Sequence, residues 1–243
     1  MIARGAGGPF GGPQGPYLLI LILLLFAFLT GGLASPIRNA ANDPIAFVGF
    51  IVAIVLGITV HEFMHAYTAH RLGDDTGRLM GRMSLNPMAP LDVFGSFLLV
   101  IAGFGYGKPV PVNESRLTGG RTSWAAVALA GPLTNLALAA LCALPIRFGA
   151  QDLLGGEYFA ILESVVFYNV VLCLFNLVPI PPLDGSRVVY ALLPPGAAYT
   201  WRTFEAYGPI ILILIFFFAF RVLAAIVFTP ASAITVFLLG GRL

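Results

Sequence analysis

The sequence predicts an all-α polytopic membrane protein with about five to six transmembrane helices, a re-entrant segment and a small membrane-associated β element. Three observations carry that expectation. Of the 243 residues, 58% are hydrophobic and only 10% charged, whereas a soluble domain carries about 25% charged residues. With a mean hydropathy of +0.92, the chain has too little polar surface to coat a soluble globule, so the bilayer is the solvent for much of it. Apolar runs recur at close to the ~20 residues a bilayer requires, and glycine, proline and charge collect between them.

Residues 1–16, "MIARGAGGPFGGPQGP", read as a flexible Gly/Pro-rich tail. The run 17–34 is expected as a first transmembrane helix. Its end, "GLASP", loosely resembles a signal-peptide cleavage site, but the length of the run favours a retained span. A catalytic membrane core is expected over 45–228, with spans near Ile45–Arg71, Trp124–Pro145, Tyr158–Val178 and Tyr207–Phe228. The shorter run Val93–Phe104 is interrupted or followed by Gly95, Gly103, Gly105 and Gly107. It reads as re-entrant or half-buried, with a short span as the alternative. Residues 229–243 are expected as an interfacial segment, because Ala231–Leu239 is too short to span alone. Leu79, Met83 and Leu85 alternate with Arg82 and Ser84, which predicts a strand within Arg78–Leu85 that could pair with an extended substrate.

The net charge of +2 does not point to nucleic acid. Cys142 and Cys173 each sit inside an apolar run, at a spacing that matches no zinc or redox pattern, and read as small buried side chains. With five spans, the loops Arg71–Arg121 and Asp184–Arg202 share one side and hold most of the basic residues. The positive-inside rule places that side in the cytoplasm, unless Val93–Phe104 crosses.

The stretch "TVHEFMHAYTAHRLG" closes the span that starts near Ile45. Helical residues four apart lie on one face, about 40° from eclipsed, so His61 and His65 can aim two imidazoles at one point. Glu62 lies between those directions, near enough to reach a water at that point. This is the logic of H-E-x-x-H, two zinc ligands and a general base. A glutamate and two imidazoles inside a membrane helix are costly unless a cation compensates them. His70 is about 180° round from His61 and falls outside the site. A catalytic zinc keeps three protein ligands and one open position. The residues alone leave the third ligand open among Asp74, Asp75, Asp92, Glu163 and Asp184. Asp74 and Asp75 read as solvated helix terminators, and Asp92 as a helix cap. Asp184 stands apart because Pro179, Pro181 and Pro182 break helical structure just before it. Such a break is tolerated at membrane depth only under cover of protein or a wet cavity. A plain helix cap remains its alternative.

The ordered set "HEFMHAY", "GPLTN" and "NLVPIPPLDG" resembles the site-2 protease family of zinc intramembrane metalloproteases, and "GRMSLNP" and "GKPVPVN" also resemble segments of its compact members. The resemblance runs from about Ile45 to the last span, with no PDZ-type or C-terminal regulatory domain expected. It implies His61, His65 and Asp184 as ligands of one Zn2+ and Glu62 as the catalytic glutamate. It puts Asn135 near the active site, where an amide could steady substrate or oxyanion, or merely pack helices. Asn176 is equally open between a structural and a catalytic role. The implied reaction is intramembrane proteolysis of membrane-anchored substrates whose transmembrane segments carry helix-weakening residues. The competing reading is a membrane metal-ion or proton transporter using the His/Glu cluster, but the chain shows no paired broken helices or internal repeat.

Overall fold

A computed structural model describes residues 42–90, 108–150, 155–205 and 207–241. Apart from 42–44, these belong to one compact unit, Ile45–Leu91 with Gly107–Leu243. The other unit, Met1–Pro44 with Asp92–Tyr106, lies almost wholly outside the described residues. The first span, the Val93–Phe104 segment and Asp92 are likewise outside them.

The regular structure among the described residues is helical, with no strand. In chain order they form α1 (Pro44–Arg71), a short α2 (Thr76–Leu79), a 3-10 turn at Glu114–Arg116, α3 (Gly120–Arg147), α4 (Gly156–Leu177), α5 (Asp184–Leu192), α6 (Pro195–Glu205), α7 (Gly208–Phe218) and α8 (Phe220–Leu238). Among the described residues, four helices are long and apolar enough to cross a membrane: Pro44–Arg71, Gly120–Arg147, Gly156–Leu177 and Arg221–Leu238. Leu133, Leu141, Leu144 and Phe237 stand exposed on them, as side chains facing lipid would.

Among the described residues three packed clusters form the core, one of them joining Ala69 of α1 and Val127 of α3 with Leu117. Ala139, Ala143 and Ile146 of α3 meet Val166 and Val170 of α4 and Ala231 of α8, with Leu239 just beyond. The three alanines let the backbones approach closely, which is how helices associate where lipid removes the hydrophobic driving force. Val178 and Leu183, flanking the proline-rich turn, pack on Leu223 and Val227 of α8. The two ends of that turn and Pro181 are therefore buried against protein, while Pro179 and Pro182 stand exposed.

Two expectations need correction. The span placed at Tyr207–Phe228 divides at Ala219, and the second helix continues to Leu238. Ala231–Leu238 is thus the far half of a helix long and apolar enough to cross a membrane and not a separate short piece. Pro230 lies inside α8 and does not end it, as transmembrane helices tolerate. The strand expected in Arg78–Leu85 is also absent. Asp74 Oδ1 accepts hydrogen bonds from Thr76 N (3.0 Å) and Thr76 Oγ1 (2.5 Å), a local turn that starts α2. Met80, Gly81 and Arg82 then donate their backbone N–H groups to Thr76, Arg78 and Gly77, which overrides the alternating pattern.

Candidate metal centre

Three side chains from two distant parts of the chain converge. His61 and His65 lie one turn apart on α1, both buried. Asp184 is the first residue of α5, directly after the proline-rich turn. Asp184 Oδ2 stands 3.1 Å from His61 Nε2 and 3.2 Å from His65 Nε2, and the two Nε2 atoms are 2.9 Å apart. Of the third-ligand candidates, the structure brings Asp184 to the histidines; among the described residues no other His, Cys, Asp or Glu joins this group.

The neighbours decide what these three atoms can do. His65 Nδ1 lies 2.7 Å from the carbonyl oxygen of Val127, so Nδ1 must carry the hydrogen and donate it. His61 Nδ1 lies 2.6 Å from Asn135 Oδ1. The orientation of that amide follows from its other end, where Asn135 Nδ2 donates to Gly57 O (3.0 Å) and Asn169 Oδ1 (2.9 Å). His61 Nδ1 is therefore the donor as well. Neutral imidazoles protonated at Nδ1 present bare lone pairs at Nε2. Two such lone pairs and a carboxylate oxygen meeting within 3.2 Å repel one another unless a cation lies between them. Ligand atoms about 2.0–2.1 Å from a tetrahedral zinc stand about 3.3 Å apart, so the observed triangle is close to one face of such a site. The donor set fits the ion.

Local sequence explains how the three meet. The Cβ of any larger residue at Gly131 would fall 2.6 Å from Nε2 of both His61 and His65, so α3 can pass the imidazoles only with glycine there. At Gly185 a Cβ would fall 2.2 Å from Leu177 O, so glycine lets the turn fold back on the end of α4 and deliver Asp184 inward. Ser186 Oγ donates to Leu183 O (2.7 Å) and Trp201 Nε1 to Ser186 O (3.1 Å), which ties α5 down. Its far side is held by Arg187 over the Trp124 ring, 4.8 Å from the centroid, and by Arg121 donating to Leu193 O (2.8 Å).

Glu62 stands next to His61 on α1, and its Oε2 accepts from Val110 N (3.1 Å). Val110 belongs to the non-helical segment Lys108–Asn113, in which Pro109 and Pro111 have no N–H to offer. The same segment is pinned at its other end, where Asn113 N donates to Asp74 Oδ2 (2.6 Å). Asp74 is therefore fully buried, contrary to its expected place in water. Burial pushes its carboxyl up, but the hydrogen bonds from Thr76 and Asn113, with the charge of Arg116, outweigh this and hold it below the ordinary carboxylate range. Asp75 does stand in solvent, bonded to His70 Nδ1 (2.6 Å) and Arg78 Nε (2.8 Å), which keeps His70 out of the site.

Asn135 is close to the site but cannot meet an oxyanion. It is fully buried, and both amide hydrogens are spent on Gly57 and Asn169. Asn176 donates to Leu172 O on its own helix (3.0 Å). Glu163 lines a separate cavity of about 360 Å³ with Ser164, Tyr168, Ser232 and Thr235. The reading from sequence missed Asn169, though an amide in mid-span was a signal, since a polar group in lipid requires a partner.

A helical membrane protein with a buried His–His–carboxylate group is the class these observations define. Its relatives agree. Over 175 residues the chain is 38% identical to "Putative zinc metalloprotease YwhC" of Bacillus subtilis, covering 68% of this chain and 78% of that protein. Over 186 residues it is 33% identical to "Putative zinc metalloprotease Rip2" of Mycobacterium tuberculosis, covering 72% and 69%. No family model and no solved structure matches. The chain belongs to the site-2 protease family of zinc metalloproteases.

Proposed function

We propose that this protein is a zinc-dependent intramembrane endopeptidase that cleaves transmembrane segments of membrane-anchored proteins. One observation carries the reading: two imidazole Nε2 atoms and a carboxylate oxygen, the latter 123 positions from His61 in sequence, meet at distances of 2.9–3.2 Å. In this reading His61 Nε2, His65 Nε2 and Asp184 Oδ2 hold one Zn2+. When bound, zinc supplies Lewis-acid activation of water and of a peptide carbonyl.

The chain's own groups do the rest. Val127 O and Asn135 Oδ1 keep both Nδ1 hydrogens in place and so keep Nε2 available. Glu62 accepts the proton of the attacking water at a carboxylate oxygen and delivers it to the leaving amine. The Val110 N–H steadies Oε2 and leaves Oε1 for that task. Asn135 acts through His61 and is a positioning residue. His61 and His65 lie ten and six residues before the end of α1 at Arg71, which puts the site about 9–15 Å along the helix from that end. Basic loops on that side orient it toward the cytoplasm of a prokaryotic cell. The catalytic core runs from about Ile45 to the end of α8. A substrate helix shields its own carbonyls with hydrogen bonds, so cleavable segments carry Gly, Pro or Asn that loosen them.

The test compares wild type with Glu62→Gln, purified in detergent and offered membrane-anchored peptides while bound zinc is measured. A protease keeps its zinc in the variant and loses cleavage. Zinc transport across vesicles with no new peptide termini from the wild type would favour the transporter instead.

A further inference from the structure

We propose that Asn169 is a positioning residue of this metal centre: it fixes the side-chain amide of Asn135 in one of its two orientations and thereby holds His61 in the tautomer whose Nε2 is free to bind a cation. The proposal rests on the zinc reading above and extends it by one residue on a fourth helix, α4.

The chain of constraint starts at backbone atoms. Asn169 Nδ2 donates to Val165 O on its own helix (2.9 Å) and toward Ala53 O on α1 (3.4 Å). Both acceptors are carbonyls, so the amide nitrogen of Asn169 must face them and its Oδ1 must face Asn135. Oδ1 is an acceptor only, so Asn135 must turn Nδ2 toward it, at 2.9 Å. That leaves Asn135 Oδ1 against His61 Nδ1 at 2.6 Å, and an oxygen there demands Nδ1–H. A reversed Asn135 would set its oxygen against two others, Asn169 Oδ1 and Gly57 O, and would lose both donated bonds. It would also present N–H to His61 Nδ1 and drive the ring proton to Nε2, the atom that faces His65 Nε2 and Asp184 Oδ2. A proton there closes the site to a cation. Both asparagines are fully buried, so water does not substitute for either partner. Without Asn169, only the Gly57 carbonyl orients Asn135.

Two readouts test this, with zinc ion itself as the probe. The chain has three histidines, so 15N-histidine spectra of the zinc-free protein are simple to assign with His70→Gln. Wild type should show Nδ1–H with unprotonated Nε2 on His61. Asn169→Leu should add a population with Nε2–H on His61, leave His65 unchanged, and weaken zinc binding by roughly 10–100-fold, the usual effect of losing an outer-shell partner. Asn169→Asp keeps an oxygen for Asn135 Nδ2 and should retain the wild-type tautomer. An Nε2–H tautomer of His61 in the wild type overturns the proposal without any variant. So does Asn169→Leu with an unchanged His61 spectrum, whether or not zinc affinity falls, since a helix-packing role alone would leave the tautomer alone. Wild type that binds no zinc would sink the metal reading itself, a result separate from the tautomer measurement.

Discussion

Replacing Gly131 by alanine sets two effects against each other. Alanine favours a helix interior by about 1 kcal/mol over glycine, so a position that served only helix formation would be neutral or improved. The structure predicts loss instead. The new Cβ would lie 2.6 Å from Nε2 of both histidines and 2.7 Å from His61 Cε1. Non-bonded heavy atoms settle at about 3.5–4.0 Å, so the imidazoles or α3 must give by about 1 Å. A metal site tolerates about 0.2 Å in its ligand distances. Zinc affinity should therefore fall by at least about 100-fold, the upper end of what outer-shell losses cause, while α-helix content is kept. The assay is chelator competition on the detergent-purified protein, with circular dichroism alongside. Wild-type zinc affinity in Gly131→Ala would refute the close passage of α3 over the site.

Other substitutions separate chemistry from scaffold. Glu62→Gln should retain zinc and lose roughly 10²–10⁴-fold in peptide cleavage, read as product termini by mass spectrometry. Gly185→Ala, whose Cβ would meet Leu177 O at 2.2 Å, should cost at least about 1–3 kcal/mol of stability and lower zinc content, because the displaced turn carries Asp184. Asp74 bears on pH dependence. Its folded-state carboxyl is held below its ordinary value, so the stabilisation it gives is present above about pH 4, the unfolded value, and is lost as pH falls through the lower folded one. Thermal melts should show wild type losing stability across that acid window, with Asp74→Asn less stable at neutral pH and flatter below.

What could be read from the sequence depended on how local each signal was. The H-E-x-x-H face of α1 needs only helical spacing, and Asp184 was marked by the prolines before it. Gly131, Asn169 and the buried role of Asp74 depend on which helices and loops touch, information spread over positions far apart. The last span was misplaced for a different reason. Ala219, where the helix breaks, is a good helix former, while Pro230, which looks like a terminator just beyond Phe228, sits within α8. The alternation across Arg78–Leu85 is a genuine two-residue pattern, but Met80, Gly81 and Arg82 donate their backbone N–H groups to Thr76, Arg78 and Gly77, turn bonds that leave none of the three for a strand partner.

X-ray absorption at the zinc edge tests the central claim most directly. Wild type should bind one zinc with nitrogen and oxygen neighbours only, at about 2.0–2.2 Å, and Asp184→Ala should lose an oxygen neighbour or the metal altogether. A sulfur shell at about 2.3 Å, or a spectrum that Asp184→Ala leaves unchanged, would contradict a centre built from His61, His65 and Asp184.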